Sequence, residues 1–145
     1  MALAAIEPGE WWGSVSVYTR DPPQAILTWT YTKLDWTVFG DGTVDWNFTD
    51  DGCWAANPSP FDTHWFIDSC YYGAVWFAAG YTQVCHDHSG SYYNTDFGDP
   101  NQRTDVDQWA QMCGRNDGYF DYWWSHIDSG EYAEIIYGFV LLNQY

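Results

Sequence analysis

The chain has 145 residues, with 20 acidic against 4 basic side chains, a formal net charge of −16, and an aromatic set of 11 Trp, 12 Tyr and 8 Phe. That length fits one domain able to bury a substantial core. The charge excludes nucleic acid and disfavours anionic membranes as partners, because binding phosphates or headgroups needs clustered Lys and Arg.

Residues 1–145 are read as a single β domain. Residues 1–8 are expected to be disordered or the remnant of a processed N-terminus, since Ala2-Leu3-Ala4 resembles the small-residue end of a signal peptide. Trp11 to Thr19 alternates, with Trp11, Gly13, Val15 and Val17 on one face, which predicts a half-buried strand. Gly9-Glu10-Trp11 resembles the Gly-x-Trp opening of calycin barrels over three residues only, and assigns no family. Ile26 to Phe39 reads as a second strand whose phase changes: Leu27, Trp29 and Tyr31 share one face, whereas Leu34, Trp36 and Val38 share the other. That shift predicts a β-bulge near Lys33 or a strand passing between sheets.

Gly40-Asp41-Gly42 is the clearest turn. A three-residue loop pairs Val38 with Val44, Trp36 with Trp46 and Leu34 with Phe48, and puts Gly42 in the left-handed region. Asn47-Phe48-Thr49 matches a glycosylation sequon. A short strand is expected over 64–68, and further strands over 71–78 and 81–88 around Ala79-Gly80. Residues 89–103 read as a long polar loop, and long loops in compact domains often carry function.

Thr104 to Cys113 reads as a short helix, because Thr104 can cap it and Val106, Trp109, Ala110 and Cys113 recur at helical spacing. Residues 119–127 and 132–142 read as a closing hairpin that opposes Trp124 to Ile135, Tyr122 to Tyr137 and Phe120 to Phe139. The fold class expected is all-β: an antiparallel sandwich or barrel of seven to nine strands, with one short helix near 104–113.

Cys53, Cys70, Cys85 and Cys113 predict two disulfides, and with them a secreted, extracellular protein. Local pairing favours Cys53–Cys70 and Cys85–Cys113. The smaller of these loops would contribute roughly 3 kcal/mol on a chain-entropy argument.

His86-Asp87-His88 is the first candidate for chemistry. On a strand both imidazoles face one side and could share a divalent metal. Gly80, then five residues, then His86-x-His88 resembles the start of the first cupin motif, which would imply a metal-dependent enzyme. Ser89 to Asn94 stand where the cupin Glu belongs, and only His64 and His126 remain as further imidazole ligands. Ser125 and His126, being adjacent, face opposite sides of a strand and cannot form a nucleophilic dyad.

Exposed rings suit carbohydrate, because sugar faces stack on Trp and Tyr. The function expected is a secreted, non-enzymatic binding module for carbohydrate or a small molecule, with Tyr92, Tyr93, Asn94 and Trp123 at the site and no resident cofactor. The alternatives are the His86/His88 metal enzyme and a self-associating structural subunit. Trp123 beside Ile136 forms an expected apolar patch, and the last strand is apolar on both faces, both signs of a homo-oligomer.

Overall fold

Period-two alternation, sustained by Val, Thr and aromatic residues, runs through almost every segment, and it organises the chain into strands. The computed structural model describes residues 5–21, 25–57, 64–95, 103–130, 133 and 136–144. The strands are β1 (Gly9–Arg20), β2 (Ile26–Val38), β3 (Val44–Ala55), β4 (Trp65–Ala78), β5 (Gln83–Asn94), β6 (Thr104–Arg115), β7 (Phe120–Gly130) and β8 (Tyr137–Gln144). They form two four-stranded antiparallel sheets, ordered β3-β2-β1-β8 and β4-β5-β6-β7. The sheets pack face to face as a sandwich.

The disulfides are Cys53–Cys70 and Cys85–Cys113. The first joins β3 to β4 and closes one flank between the sheets. The second links directly opposed residues of β5 and β6. Two such bonds fit an oxidising environment.

The turn after β2 follows its sequence: Val38 opposes Val44, Trp36 opposes Trp46, and Gly42 has φ +87°. Beyond that, a bulge sets Phe48 against Asp35, so the expected Leu34–Phe48 pair does not form. β2 changes phase at Leu27 rather than near Lys33: the β1–β2 register slips there, and Leu27 and Thr28 are both buried. Thr28, Thr30, Thr32, Leu34, Trp36 and Val38 all face inward and are buried, while Trp29 and Tyr31 face out. From Thr28 onward the inward face keeps one phase, and only its chemistry changes, from hydroxyl to hydrocarbon.

No α-helix is present among the described residues. Thr104 to Cys113 lies in β6, where Thr104, Val106, Gln108, Ala110 and Met112 face inward at strand spacing. The helical pattern was produced by the outward residues Trp109 and Cys113, which added apolar positions out of phase with that face. The long loop shrinks likewise, because β5 continues through Asn94.

The closing hairpin is also corrected. β7 pairs with β6, while β8 crosses to the other sheet and pairs with β1, setting Phe139 against Tyr18. Ile135, the expected partner of Trp124, lies outside the described residues. Ile136 is buried with Leu27, Trp65, Tyr92 and Val106, so it forms no patch with exposed Trp123.

Among the described residues the interior has two apolar clusters. Val15, Val17, Leu34, Trp36, Val84 and Met112 centre one, and Leu27, Trp65, Tyr92 and Val106 centre the other. Between them lies a hydrogen-bonded polar belt. Gln108 Nε2 donates to Thr19 Oγ1 (2.8 Å) and Thr28 Oγ1 (3.0 Å), and its Oε1 accepts from Thr30 (2.8 Å). The Tyr92 hydroxyl bridges Thr30 Oγ1 and the Trp29 carbonyl. Gly90 makes room for this: a Cβ there would lie 2.6 Å from the Tyr92 hydroxyl.

Candidate functional site

The inward faces of β3, β4 and β5 meet beside the Cys53–Cys70 flank. Alternation along β5 sends Val84, His86, His88, Gly90 and Tyr92 inward. Alternation along β3 sends Asp51 and Cys53 toward them, opposite Thr32 and Thr30. Gly73 allows β4 to bulge over β5 here, since any Cβ would strike Asp87.

The structure places His86 and His88 on one buried face, as their spacing required, but gives them different partners. His86 Nε2 pairs with Asp51 Oδ2, and its Nδ1 lies 3.3 Å from the Ala74 carbonyl oxygen. Thr32 donates to the other Asp51 oxygen at 2.8 Å. Both His86 nitrogens therefore face acceptors, which suits the doubly protonated ring. Burial opposes that charge, but the Asp51 carboxylate outweighs it and holds the His86 pKa above the ordinary histidine value.

His88 is fully buried. Its Nε2 lies 3.2 Å from Sγ of both Cys53 and Cys70. Its Nδ1 is buried without a hydrogen-bond partner among the described residues. The Tyr72 ring covers it, with centroids 4.6 Å apart. Burial lowers its pKa, so at neutral pH the ring is uncharged. One donor atom from each of Cys53, Cys70 and His88 falls within 4.8 Å of the others. The sequence pointed to His86 and His88 as the metal pair. The convergence of His88 with two cysteines depends on β3 and β4 flanking β5, and no local spacing encodes it.

The four residues expected to bind carbohydrate are not brought together. Tyr92 and Asn94 are buried inside the sandwich, and burial pushes the Tyr92 pKa up to about 12. Tyr93 lies on the outer face, stacked on Phe66 at 5.2 Å, with the Arg103 guanidinium 4.2 Å from its ring centroid. Trp123 is exposed on the same outer face, but opposite Gln111, whereas Tyr93 is opposite Asp105. Six residues of β6 separate those positions, roughly 20 Å at the strand rise.

A different aromatic set aligns on the outer face of the first sheet. Trp54, Trp29, Tyr18 and Phe139 lie in register across all four of its strands. Tyr18 stacks between Trp29 (5.5 Å) and Phe139 (4.9 Å), and Arg20 lies 4.2 Å from the Phe139 centroid. Tyr18, Ile26, Trp29 and Trp54 line an apolar recess of about 290 Å³.

His126 faces inward from β7. Thr19 Oγ1 accepts from Thr28 and Gln108, so it donates to His126 Nε2 at 2.7 Å. The ring is thereby neutral, and burial lowers its pKa. Comparison of the chain with protein-family models, with curated proteins and with solved structures returns no match.

Proposed function

We propose that this protein is a metal-binding β-sandwich whose centre is Cys53, Cys70 and His88. The observation that carries this reading is His88 itself. A fully buried, uncharged imidazole faces two sulfurs and makes no strong hydrogen bond with either nitrogen. Buried polar groups are normally satisfied, and one that is not calls for an explanation such as an ion. Two sulfurs and one imidazole are the donor set of a borderline-soft divalent ion, with Zn²⁺ the natural candidate.

The cysteines ligate as thiolates, so the Cys53–Cys70 bond must first be reduced. A dithiol reductant supplies two electrons and two protons to that bond, and the two thiol protons leave to solvent as the ion binds. Three protein donors leave one position of a tetrahedral ion open for water or substrate, as in hydrolytic zinc sites. His86 serves the site indirectly, because its pair with Asp51 fixes β5 against β3.

Dialysis of dithiol-reduced protein against Zn²⁺, with bound metal counted per chain, tests the reading. It predicts one ion per chain, lost in His88→Ala and absent from oxidised protein. Absence of stoichiometric zinc from the reduced protein overturns it.

One observation favours a second reading. The recess beside exposed Trp54 presents apolar ring surface at the end of an aromatic row, which suits a sugar face or another flat small ligand. The faces of Tyr18 are already taken by Trp29 and Phe139, so stacking is open only at the Trp54 end. A flat Trp-fluorescence response across an oligosaccharide panel counts against it.

A further inference from the structure

We propose that the free edge of β8 is a pairing edge for a second copy of this chain. Among the described residues the sandwich has four edge strands, β3, β8, β4 and β7. Exposed edges invite pairing with other chains, and proteins block them with charges, prolines and bulges. Three of the four are blocked. β3 carries Asp45, Asp50 and Asp51, its ladder is bulged, and its flank is closed by Cys53–Cys70. β4 carries Asp68 and two register shifts. β7 carries Asp121 and an inward Asp128.

β8 has no such device. Its sequence, Tyr-Gly-Phe-Val-Leu-Leu-Asn-Gln, has no charge and no proline, and its ladder with β1 runs without a register shift. Among the described residues no strand pairs with its other side. Leu141 is 48% and Leu142 40% exposed. Across the open flank, Tyr122 and Trp124 of β7 face the space between the sheets yet stay exposed, so apolar surface continues past the strand edge.

Charge selects the occupant. The chain carries a net charge of −16, and every other strand contains charged residues. A cationic partner finds nothing to select at β8, whereas a second β8 brings the least charged surfaces of two acidic molecules together. The antiparallel two-fold is self-complementary. With Val140 opposite the partner's Val140, Phe139 meets the partner's Leu141, and Gly138 leaves space opposite the partner's Leu142. The paired sheets become one continuous eight-stranded sheet. The area of a single strand edge is below that of a permanent interface, so the dimer is concentration-dependent.

Sedimentation velocity over a concentration series, at low and high salt, tests this. The expected mass rises from 16.8 kDa toward twice that value with concentration. Association strengthens with salt, because screening removes the repulsion between two anions. Leu141→Lys, at an exposed side chain, weakens association at least tenfold with an unchanged circular dichroism spectrum. Hydrogen exchange of the wild type gives an independent reading: amides within 137–144 gain protection as concentration rises. Monomer under all conditions, association that salt weakens, a Leu141→Lys dimer of wild-type affinity, or protection confined to other strands would each overturn the proposal.

Discussion

His88 on β5 and Cys70 on β4 approach to 3.2 Å between Nε2 and Sγ, although 18 residues separate them in the chain. The same nitrogen is as close to Cys53 on the opposite sheet. A single buried ring thus sits against the bond that closes one flank of the sandwich. That bond and any ion held there compete for the same two sulfurs.

The two disulfides differ in access. Cys85 and Cys113 are 1% and 3% exposed, whereas Cys53 and Cys70 are only partly buried. Exposed disulfides are the labile ones. Under graded dithiol reduction, mass spectrometry after thiol alkylation is expected to find Cys53 and Cys70 labelled first. Simultaneous labelling of all four cysteines would contradict the assignment of the labile bond.

Asp51 and His86 form a pair in which both side chains are almost wholly buried. Removing one partner of such a pair leaves an uncompensated group, at a cost of about 3–5 kcal/mol. Asp51→Asn is expected to lower the denaturant midpoint accordingly. A change below about 1 kcal/mol would show that water or another group already satisfies His86.

The histidines titrate in opposite directions. His86, supported by Asp51, is expected to keep its proton above the ordinary value of 6.5, while burial holds His88 and His126 below it. The stability consequences follow by linkage. His86 contributes stability that is full below the unfolded-state pKa and is lost as pH rises through the higher folded value. His88 and His126 have depressed folded values, so their contribution is full above about 6.5 and is lost as pH falls through the window below it. Imidazole proton NMR across that range checks the order, and the prediction fails if His126 titrates above 6.5.

Gln108 ties Thr19, Thr28 and Thr30 together at the centre of the sandwich. Gln108→Ala strands buried hydroxyls and opens a cavity, so a loss of roughly 2–4 kcal/mol is expected in equilibrium unfolding. Thr30→Val, which removes the bonds to Gln108 and Tyr92 but opens no cavity, should cost less, on the order of 1–2 kcal/mol. Equal losses would mean that the belt is not organised through Gln108.

That belt also explains where the sequence misleads. Alternation in β1 and the register of the β2–β3 turn are legible because large apolar residues mark the inward face there. In β2 the inward residues over 28–32 are threonines and the large rings face out, so ranking faces by hydrophobicity reverses them. Gln108 does the same to β6, hiding a strand behind an accidental helical pattern. Phe120, Tyr122 and Trp124 could alternate against any antiparallel neighbour, and only the crossing to the other sheet decides that β8 is not that neighbour. Both disulfides were legible from proximity along the chain, but the sandwich alone brings His88 to one of them.

Cobalt substitution reports directly on the Cys53, Cys70 and His88 centre, because a thiolate bound to Co²⁺ announces itself by a charge-transfer absorption band. Titrating Co²⁺ into dithiol-reduced protein is predicted to raise that band together with the visible bands of a tetrahedral ion, saturating at one equivalent. The bands should be absent from oxidised protein, from Cys53→Ser/Cys70→Ser and from His88→Gln, and should persist in Cys85→Ser/Cys113→Ser. Reduced, folded wild-type protein that gives no charge-transfer band, or a band that survives loss of Cys53 and Cys70, would contradict the account.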